Sequence, residues 1–191
     1  MIAKVNVTGV TLRTPRLTLR PWRREDLQDL YAYASDPEVG PMAGWKPHEN
    51  LEESRMILDR FVGDGRTFAL EHRGRVVGSL GIEGYDEAKY PEFSELLVRE
   101  LGFVLARDCW GQGLMPEAVN EVIRWLFDVQ KLDVILCGHF LWNKQSERVQ
   151  EKCGFRHYDY SLFTTKLNKV EEHELRILTR ENWLRLRDKG L

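Results

Sequence analysis

Residues 100–118 restrict the possible fold more than any other part of the chain. They read Glu-Leu-Gly-Phe-Val-Leu-Ala-Arg-Asp-Cys-Trp-Gly-Gln-Gly-Leu-Met-Pro-Glu-Ala. An apolar run is followed by two glycines one residue apart, and Pro116 and Glu117 then open a helix. Proline and an acidic residue in the first turn are typical of a helix N-terminus. The segment therefore predicts a strand, a tight turn and a helix in direct succession.

The glycine turn predicts a binding site for a phosphorylated ligand. Backbone N–H groups around Gly111 and Gly113 are expected to point outward at a helix N-terminus, where the helix dipole favours negative charge. Because glycine has no side chain, phosphates can approach the backbone closely. A Gly-x-Gly pair alone is more often a simple turn, so the flanking strand and helix are what favour a ligand site.

The composition is typical of one soluble globular domain. The chain has 191 residues, of which 42% are hydrophobic and 30% are charged. A net charge of −2 does not favour binding to nucleic acid or to an anionic membrane. No apolar stretch is long enough for a membrane span, and the first residues lack the apolar region of a signal peptide. We therefore expect no nucleic-acid partner and no membrane partner.

The cysteines indicate a reducing compartment. Cys109, Cys137 and Cys153 are odd in number and widely spaced, without a Cys-x-x-Cys pair. This pattern predicts reduced thiols of a cytoplasmic protein and no zinc or disulfide framework. Cys109 lies beside the glycine turn, where a small half-buried side chain is a more common role than chemistry.

Hydrophobic periodicity predicts an α/β domain with helices on both faces of a mixed sheet. The expected elements, in chain order, are an extended arm over 1–13, a strand over 17–22, helices from Arg24 and Asn50, a hairpin of strands 67–71 and 75–82, a strand over 101–105, a helix after Gly113, a strand over 133–140, a helix over 144–153, a hairpin of strands 155–163 and 172–178, and a helical turn over 181–186. Residues 41–47 and 85–93 are expected to be loops. The arm, 1–13, precedes one catalytic domain, 14–191.

Three motifs in this order resemble those of the GNAT superfamily of N-acetyltransferases. The first is Thr-Pro-Arg-Leu-Thr-Leu-Arg-Pro over 14–21, followed by the acidic pair Glu25-Asp26. The second is the segment 100–118. The third is Asn-Lys-Gln-Ser over 143–146 together with Glu-Lys-Cys-Gly-Phe over 151–155. The similarity is greatest to the RimJ/RimL-like branch, which acetylates the N-termini of ribosomal proteins. The resemblance implies a mostly antiparallel central sheet with one splayed parallel strand pair.

The resemblance also implies acetyl-CoA as cosubstrate, without a metal, and a coenzyme site. Backbone groups of Phe103, Val104 and Leu105 would hold the pantetheine arm and polarise the thioester carbonyl. A preorganised N–H of this kind is typically worth about 2.7–4 kcal/mol. The pyrophosphate would lie on the backbone N–H groups of Trp110, Gly111, Gln112, Gly113, Leu114 and Met115.

The expected reaction needs a base for the acceptor amine. Deprotonation at pH 7 costs about 1.4 kcal/mol for an α-amine with a pKa near 8 and roughly 4.6 kcal/mol for a lysine. Glu100 matches an acidic position of the superfamily and is the first candidate, directly or through a water, although such a glutamate can also be a surface ion-pair residue. His139 is the alternative base, although a lone histidine among apolar residues is more often a hydrogen-bonded core residue.

The departing CoA needs a hydrogen-bond or proton donor. Many superfamily members carry a tyrosine four residues before the glycine of the Gly-Phe pair, but this chain has Gln150 there, which cannot act as an acid. The resemblance therefore assigns the role to Ser146. Asn143 is expected to hold the pantetheine arm or a water, and both residues are equally suited to helix capping.

One residue departs from the coenzyme motif, and several questions stay open. Asp108 occupies a position that is usually Arg or Gln, and its charge is expected to repel a pyrophosphate unless it points to solvent or caps the turn. The acceptor can be a protein N-terminus, a lysine or a small amine. The alternative function is a non-catalytic acyl-CoA-binding sensor, and a homodimer paired through the N-terminal arm is possible.

Overall fold

A computed structural model describes residues 1–188, so residues 189–191 of the predicted domain, 14–191, lie outside the described part. The fold is α/β and confirms the predicted class. One eight-stranded sheet has the strand order β1-β2-β3-β4-β5-β6-β8-β7. The strands are β1 Leu12–Arg13, β2 Thr18–Pro21, β3 Thr67–His72, β4 Arg75–Glu83, β5 Val98–Leu105, β6 Val134–Phe140, β7 Arg156–Thr164 and β8 Val170–Thr179.

The described part of the chain contains six α-helices, of which all but α2 correspond to predicted helices or helical turns. They are α1 Leu27–Ala34, α2 Val39–Met42, α3 Leu51–Asp64, α4 Leu114–Asp128, α5 Lys144–Lys152 and α6 Arg180–Asp188. Asn50 caps α3 by accepting the Glu53 N–H over 2.9 Å, and Gly65 ends it with a φ of 57°. In the part of the chain that the structure describes, no helix has the length and apolar character needed to cross a bilayer.

Two boundaries differ from the sequence prediction. Val39–Met42 form a short helix at the start of the predicted loop 41–47, because Pro41 lies in the first turn, where its missing N–H costs nothing. β5 begins at Val98 and not at 101. The charged pair Arg99-Glu100 interrupts the apolar run in the sequence but lies within the strand.

The N-terminal segment packs against its own domain. Ile2 forms a parallel bridge with Val98, and the Ala3 N–H donates to Val98 O over 3.2 Å. Val5 and Val7 are buried in the main core. Residues 1–3 thus continue the sheet beside β5, where β4 has ended.

Arg20 explains part of the first motif, in a structural role. Its guanidinium donates to both carboxylate oxygens of Asp26 at 2.8 Å and to Glu71 at 2.7 Å. Arg20 and Asp26 are both buried, so this bidentate pair fixes β2 against the start of the first helix.

The two faces of the sheet carry different helices. Phe68 of β3 contacts Trp125 of α4 edge-to-face at 5.7 Å, which places α4 over one face. On the other face, Tyr33 of α1 is hydrogen-bonded to Ser79 of β4. Because side chains alternate along a strand, Ser79 and its partner Val104 belong to the α1 face.

The sheet opens in its middle. β5 and β6 pair in parallel from Val98–Val134 to Leu101–Cys137, and all other pairs of neighbouring strands in the sheet are antiparallel. Beyond Leu101 and Cys137 these two strands share no ladder within residues 1–188, although β5 stays paired with β4 as far as Leu105. This opening, hereafter the gap, is the predicted splayed strand pair.

Candidate active site

The glycine turn between β5 and α4 has the backbone shape that its sequence predicts. Gly111 and Gly113 have φ angles of 74° and 75°, in the left-handed region that side chains disfavour. α4 begins directly after Gly113. Among residues 1–188, none accepts a hydrogen bond from the backbone N–H groups of 111–115, which are therefore available to an anion.

The prediction is corrected at Trp110. Its backbone N–H donates to Arg107 O over 3.1 Å and is not available to a phosphate. Its indole Nε1–H donates to Leu105 O over 2.7 Å. Trp110 thus connects the glycine turn to the end of β5 and has a structural role.

The first motif holds the turn in place. Arg16 Nε donates to Glu117 in the first turn of α4 over 2.7 Å, and Arg16 Nη1 donates to Gln112 O over 2.8 Å. Thr14 donates to the same Glu117 carboxylate. A motif nearly a hundred residues away in sequence therefore orients the turn.

Asp108 is neutralised by a partner that the sequence does not reveal. Arg75 Nη2 lies 2.7 Å from Asp108 Oδ2, and this contact lowers the pKa of the Asp108 carboxyl. The backbone oxygen of Asp108 accepts from the Gln112 side chain over 2.8 Å. The carboxylate is thus held in an ion pair, which reduces the expected repulsion of a pyrophosphate.

Alternate residues of β5 face the gap. The Ala106 N–H donates to Val77 O of β4 over 2.7 Å, and residues two apart point their backbone groups at the same neighbour. Val104 therefore directs its N–H and C=O at β4, which corrects its predicted backbone role. Phe103 and Leu105 direct theirs into the gap, so their N–H groups fit the amides of a pantetheine arm.

The gap widens into a cavity of about 560 Å³. The glycine turn, the gap and the N-terminal half of α5 line it together, with α2 at one end. Arg148 and Lys152, one helical turn apart on α5, line it too, and their positive charges suit a nucleotide phosphate. Sequence reasoning missed both, although their i, i+4 spacing next to the second motif was a usable signal.

Glu100 lies half-buried in this cavity, on the face that carries α1 and α2. Burial, and next the nearby charge of Glu83, raise the pKa of the Glu100 carboxyl to about 7. Glu83 is its direct partner on β4. Beside Glu100 on the same face, a side chain placed at Gly102 would meet no atom within 4 Å, so the space above Gly102 is open.

Asn143 and Ser146 lie at the N-terminus of α5. Asn143 Oδ1 caps the helix by accepting the Ser146 N–H over 3.1 Å, and Asn143 Nδ2 donates to Met42 O of α2 over 2.9 Å. Asn143 therefore ties α2 to α5 across one end of the cavity. Ser146 Oγ accepts from Gln150 Nε2 over 3.2 Å, and both Asn143 and Ser146 line the cavity.

Glu100 and Ser146 approach the gap from opposite faces of the sheet. Cys137 and Arg176 are cross-strand partners and share a face, and Arg176 contacts Glu147 of α5 over 3.3 Å. Leu101, the parallel partner of Cys137, lies on that α5 face. Its neighbour Glu100 must therefore point to the other face.

His139 is on the α5 face, away from Glu100. Its side chain has no exposed surface, and Nε2 lies 3.5 Å from Glu174 Oε2. Burial lowers the pKa of His139 below its ordinary value, against the opposing effect of Glu174. The ring lines the cavity close to Gln150, on the face of the sheet opposite to Glu100.

His173 is a cavity residue that sequence reasoning missed. It lies on β8 opposite Phe140, and its Nε2 occupies the space that a side chain at Gly138 would need, 2.1 Å from that position. Burial lowers its pKa to about 4, so the ring is neutral at pH 7. Gly138 within an apolar strand was the one sequence signal for this close approach.

The cysteines offer no activated nucleophile. All three are free and buried. Burial raises the pKa of Cys109, which lines the cavity, and of Cys137, and it raises the pKa of Cys153 to about 12. The thiolate is the nucleophilic form, so these side chains are mostly unreactive thiols at neutral pH.

The profile of the family described as "Acetyltransferase (GNAT) domain" matches residues 16–156. The chain belongs to this family. GNAT relatives include the "FsC-acetyl coenzyme A-N(2)-transacetylase" of Aspergillus fumigatus, 28% identical over 185 residues that cover 92% of this chain and 79% of the relative. The "Uncharacterized N-acetyltransferase p20" of Bacillus licheniformis is 33% identical over 132 residues, 65% of this chain and 70% of the relative.

Solved GNAT structures share the fold. A GNAT-family acetyltransferase from Bacillus anthracis has a TM-score of 0.78 at 21% identity and covers 90% of this chain and 99% of its own. The ribosomal-protein-S5-alanine acetyltransferase of Vibrio fischeri has a TM-score of 0.70 at 19% identity, with 91% and 98% covered. The microcin self-immunity acetyltransferase MccE, solved with acetyl-CoA and AMP, has a TM-score of 0.71 at 14% identity, with 86% and 93% covered.

This GNAT protein is an acetyl-CoA-dependent N-acetyltransferase, and its residues fit that cosubstrate. The free N–H groups of 111–115 face the cavity end that suits phosphates, and the unpaired edge of β5 at Phe103 and Leu105 suits a chain of amides. The fit concerns backbone groups for the most part, so it depends little on the side chain at position 108.

Proposed function

We propose that the protein transfers the acetyl group directly to a primary amine, with both substrates bound at once. The observation that carries the proposal is the pair of Glu100 and Ser146, which reach one gap from opposite faces of the sheet. A base is needed on the amine side of a thioester and a donor on the sulfur side. The positions of Glu100 and Ser146 on opposite faces of the sheet match these two needs.

Glu100 acts as the base. A pKa of about 7 leaves its carboxylate half ionised at neutral pH and makes it a stronger base than an ordinary glutamate. The acceptor amine lies over Gly102, the open position next to it. An α-amine has a pKa only about one unit above that of Glu100, so proton transfer between them is nearly balanced, whereas transfer from a lysine is uphill by roughly three units.

Ser146 donates a hydrogen bond to the sulfur of the departing CoA. As the amine nitrogen bonds to the carbonyl carbon, the C–S bond breaks and its electron pair goes to sulfur. The Phe103 N–H points into the gap and stabilises the negative charge that develops on the thioester oxygen. The high pKa values of the cysteines support direct transfer over an acetyl-cysteine route.

The acceptor is proposed to carry an α-amine, as on a protein N-terminus or a small molecule. The pKa of an α-amine is closer to that of Glu100 than the pKa of a lysine is, which favours an α-amine as the acceptor. The motif over 14–21, which resembles the RimJ/RimL-like branch, supports a protein N-terminus, and the A. fumigatus relative, named for acetylating an N(2) position, supports a small molecule. Three free, buried cysteines support a cytoplasmic location.

A CoA-release assay tests the proposal. Acetyl-CoA is offered with a peptide with a free N-terminal alanine, the same peptide with a blocked N-terminus and one lysine, and a polyamine. We expect release with the free α-amine, and thermal stabilisation of the protein by acetyl-CoA alone. Stabilisation without release for any amine would favour the non-catalytic sensor and contradict the proposal.

Glu100→Gln is the decisive variant. Loss of a general base should lower kcat/KM for the amine by about 10²–10⁴ while stabilisation by acetyl-CoA persists. Glu95→Gln, at an exposed carboxyl in the loop before β5, is the matched control and should keep the wild-type rate. Equal rates for Glu100→Gln and the control would remove Glu100 from the mechanism.

A further inference from the structure

Gln150 is buried where the two central strands separate. Its side chain has no exposed surface, and it lies on α5 one turn after Ser146. Its Nε2 donates to Gly138 O over 3.1 Å and to Ser146 Oγ over 3.2 Å. Leu141 N–H donates to Glu172 O on β8, so by alternation the carbonyl of Gly138 faces the gap.

The backbone carbonyl of Gly138 fixes the orientation of this amide. A carbonyl can only accept, so the nitrogen of Gln150 and not its oxygen must lie next to Gly138. The same nitrogen then supplies the hydrogen shared with Ser146. Both N–H groups of the amide therefore donate hydrogen bonds, one to Gly138 O and the other to Ser146 Oγ.

The far side of the amide is closed by buried charged and polar groups. His139, with both ring nitrogens unpartnered in the described chain, lies beside Gln150, whose contact raises the pKa of His139 against the larger effect of burial. Behind it, Arg176 Nε donates to Glu174 Oε1 over 2.9 Å. Gln150 Oε1 has no hydrogen-bond partner among the described residues, so burial and the two hydrogen bonds of Nε2 hold the side chain next to Ser146.

We propose that Gln150 is a positioning residue that directs the hydroxyl hydrogen of Ser146 at the sulfur of the departing thiol. With one lone pair of Oγ held by Gln150, the O–H bond turns to the cavity that Ser146 lines. No proton leaves Gln150; it acts only through the orientation of Ser146. The inference rests on the proposed function, because it presupposes Ser146 as the donor to sulfur.

Two substitutions of Gln150 separate this role from simple packing. Gln150→Leu keeps the volume but frees the hydroxyl to rotate, and we expect kcat to fall about tenfold, less than the 10²–10⁴ attributed to a whole acid group. Gln150→Glu presents a carboxylate that accepts the Ser146 hydrogen, so kcat should fall as far as in Ser146→Ala. KM for acetyl-CoA should change by less than about twofold in both.

A double-mutant comparison supplies the control. In a Ser146→Ala background, Gln150→Leu should have no further effect on kcat, because the group it orients is gone. Gln28→Leu, an exposed glutamine on α1, is the matched control and should match wild type. An unchanged kcat for Gln150→Leu, or an equal loss with and without Ser146, would overturn the proposal.

A measurement on the Gln150 side chain itself keeps the test decisive if the Gln150 variants fail to fold. In the ¹⁵N spectrum of the ligand-free protein, one side-chain amide proton of Gln150 should shift upfield in Ser146→Ala, since its hydrogen bond to Oγ is lost. An unshifted proton would overturn the proposal. If wild type shows no transfer at all, the proposed function fails, whereas an active wild type with an indifferent Gln150→Leu refutes only the role of Gln150.

Discussion

Replacing Glu83 by glutamine should move the pH dependence of the reaction to lower pH. Glu83 lies opposite Glu100 on β4, and its charge is the second cause, after burial, of a pKa raised from 4.5 to about 7. Since burial contributes the larger share, removing the charge should lower the pKa by less than about 1.2 pH units. Glu83 is 51% exposed, and screening by solvent reduces the effect further, to roughly 0.5–1 unit.

The rate ratio at low pH isolates this effect. A fall of the pKa from about 7 to roughly 6 raises the ionised fraction of Glu100 at pH 6 from about one tenth to about one half. We therefore expect kcat/KM of Glu83→Gln to exceed wild type by up to about fivefold at pH 6, and to fall to wild type or slightly below at pH 8. Ionisation of the amine is common to both enzymes and cancels in the ratio.

The assay is CoA release at subsaturating amine between pH 5.5 and 9, because kcat/KM then reports the ionisation of the free enzyme. Glu95→Gln, whose exposed carboxyl is not opposite Glu100, should reproduce the wild-type profile. An acid limb that stays in place, or moves to higher pH, would refute the coupling of the two carboxylates and the assignment of the limb to Glu100.

Four further outcomes are expected. Glu100→Gln should melt at a higher temperature than wild type at pH 8 but not at pH 4. The pKa of Glu100 is raised from 4.5 to about 7 in the folded state, so wild type loses stability as the pH rises through this range, and the variant does not. Gly102→Val should fold normally and raise KM for the amine alone, since its side chain enters open space beside Glu100. Arg148→Ala with Lys152→Ala should raise KM for acetyl-CoA about tenfold at low salt and less at high salt; a salt-independent change would contradict a phosphate contact. Cys109→Ser should keep the rate within about twofold, and a complete loss would favour a covalent intermediate.

The glycine turn was predictable because local chemistry determines it, unlike the splayed strand pair, which only the family resemblance implied. Only glycine adopts the left-handed angles of 111 and 113 without strain, and a helix start with proline and an acidic residue is visible in sequence. The succession of strands and helices along the chain followed from hydrophobic periodicity. These features depend on residues that are close together in the chain.

Other features depend on contacts between distant segments and gave no local signal. Arg75, which forms the ion pair with Asp108, lies on β4, far from Asp108 in sequence. His173 occupies the space beside Gly138 only once β8 lies beside β6. The assignment of Glu100 and His139 to opposite faces required the register of three strands. Gln150 contacts Ser146 by ordinary i, i+4 spacing on α5, but its hydrogen bond to Gly138 O requires the packing of α5 on β6.

In the proposed mechanism the amine and the departing sulfur lie on opposite faces of the sheet, so we expect different side chains to recognise the amine and the donor. Among the described residues before β5, Val39, Met42 and Ala43 line the cavity, at α2, whereas the other lining residues, including Glu100, all follow Val98 along the chain. We therefore expect substitutions at Val39, Met42 and Ala43 to change the preference for the amine more than the affinity for acetyl-CoA. Asn143 Nδ2 donates to Met42 O, and the Lys166 N–H donates to Gly44 O, so two hydrogen bonds connect this segment to later parts of the chain, and variants in it should preserve both contacts.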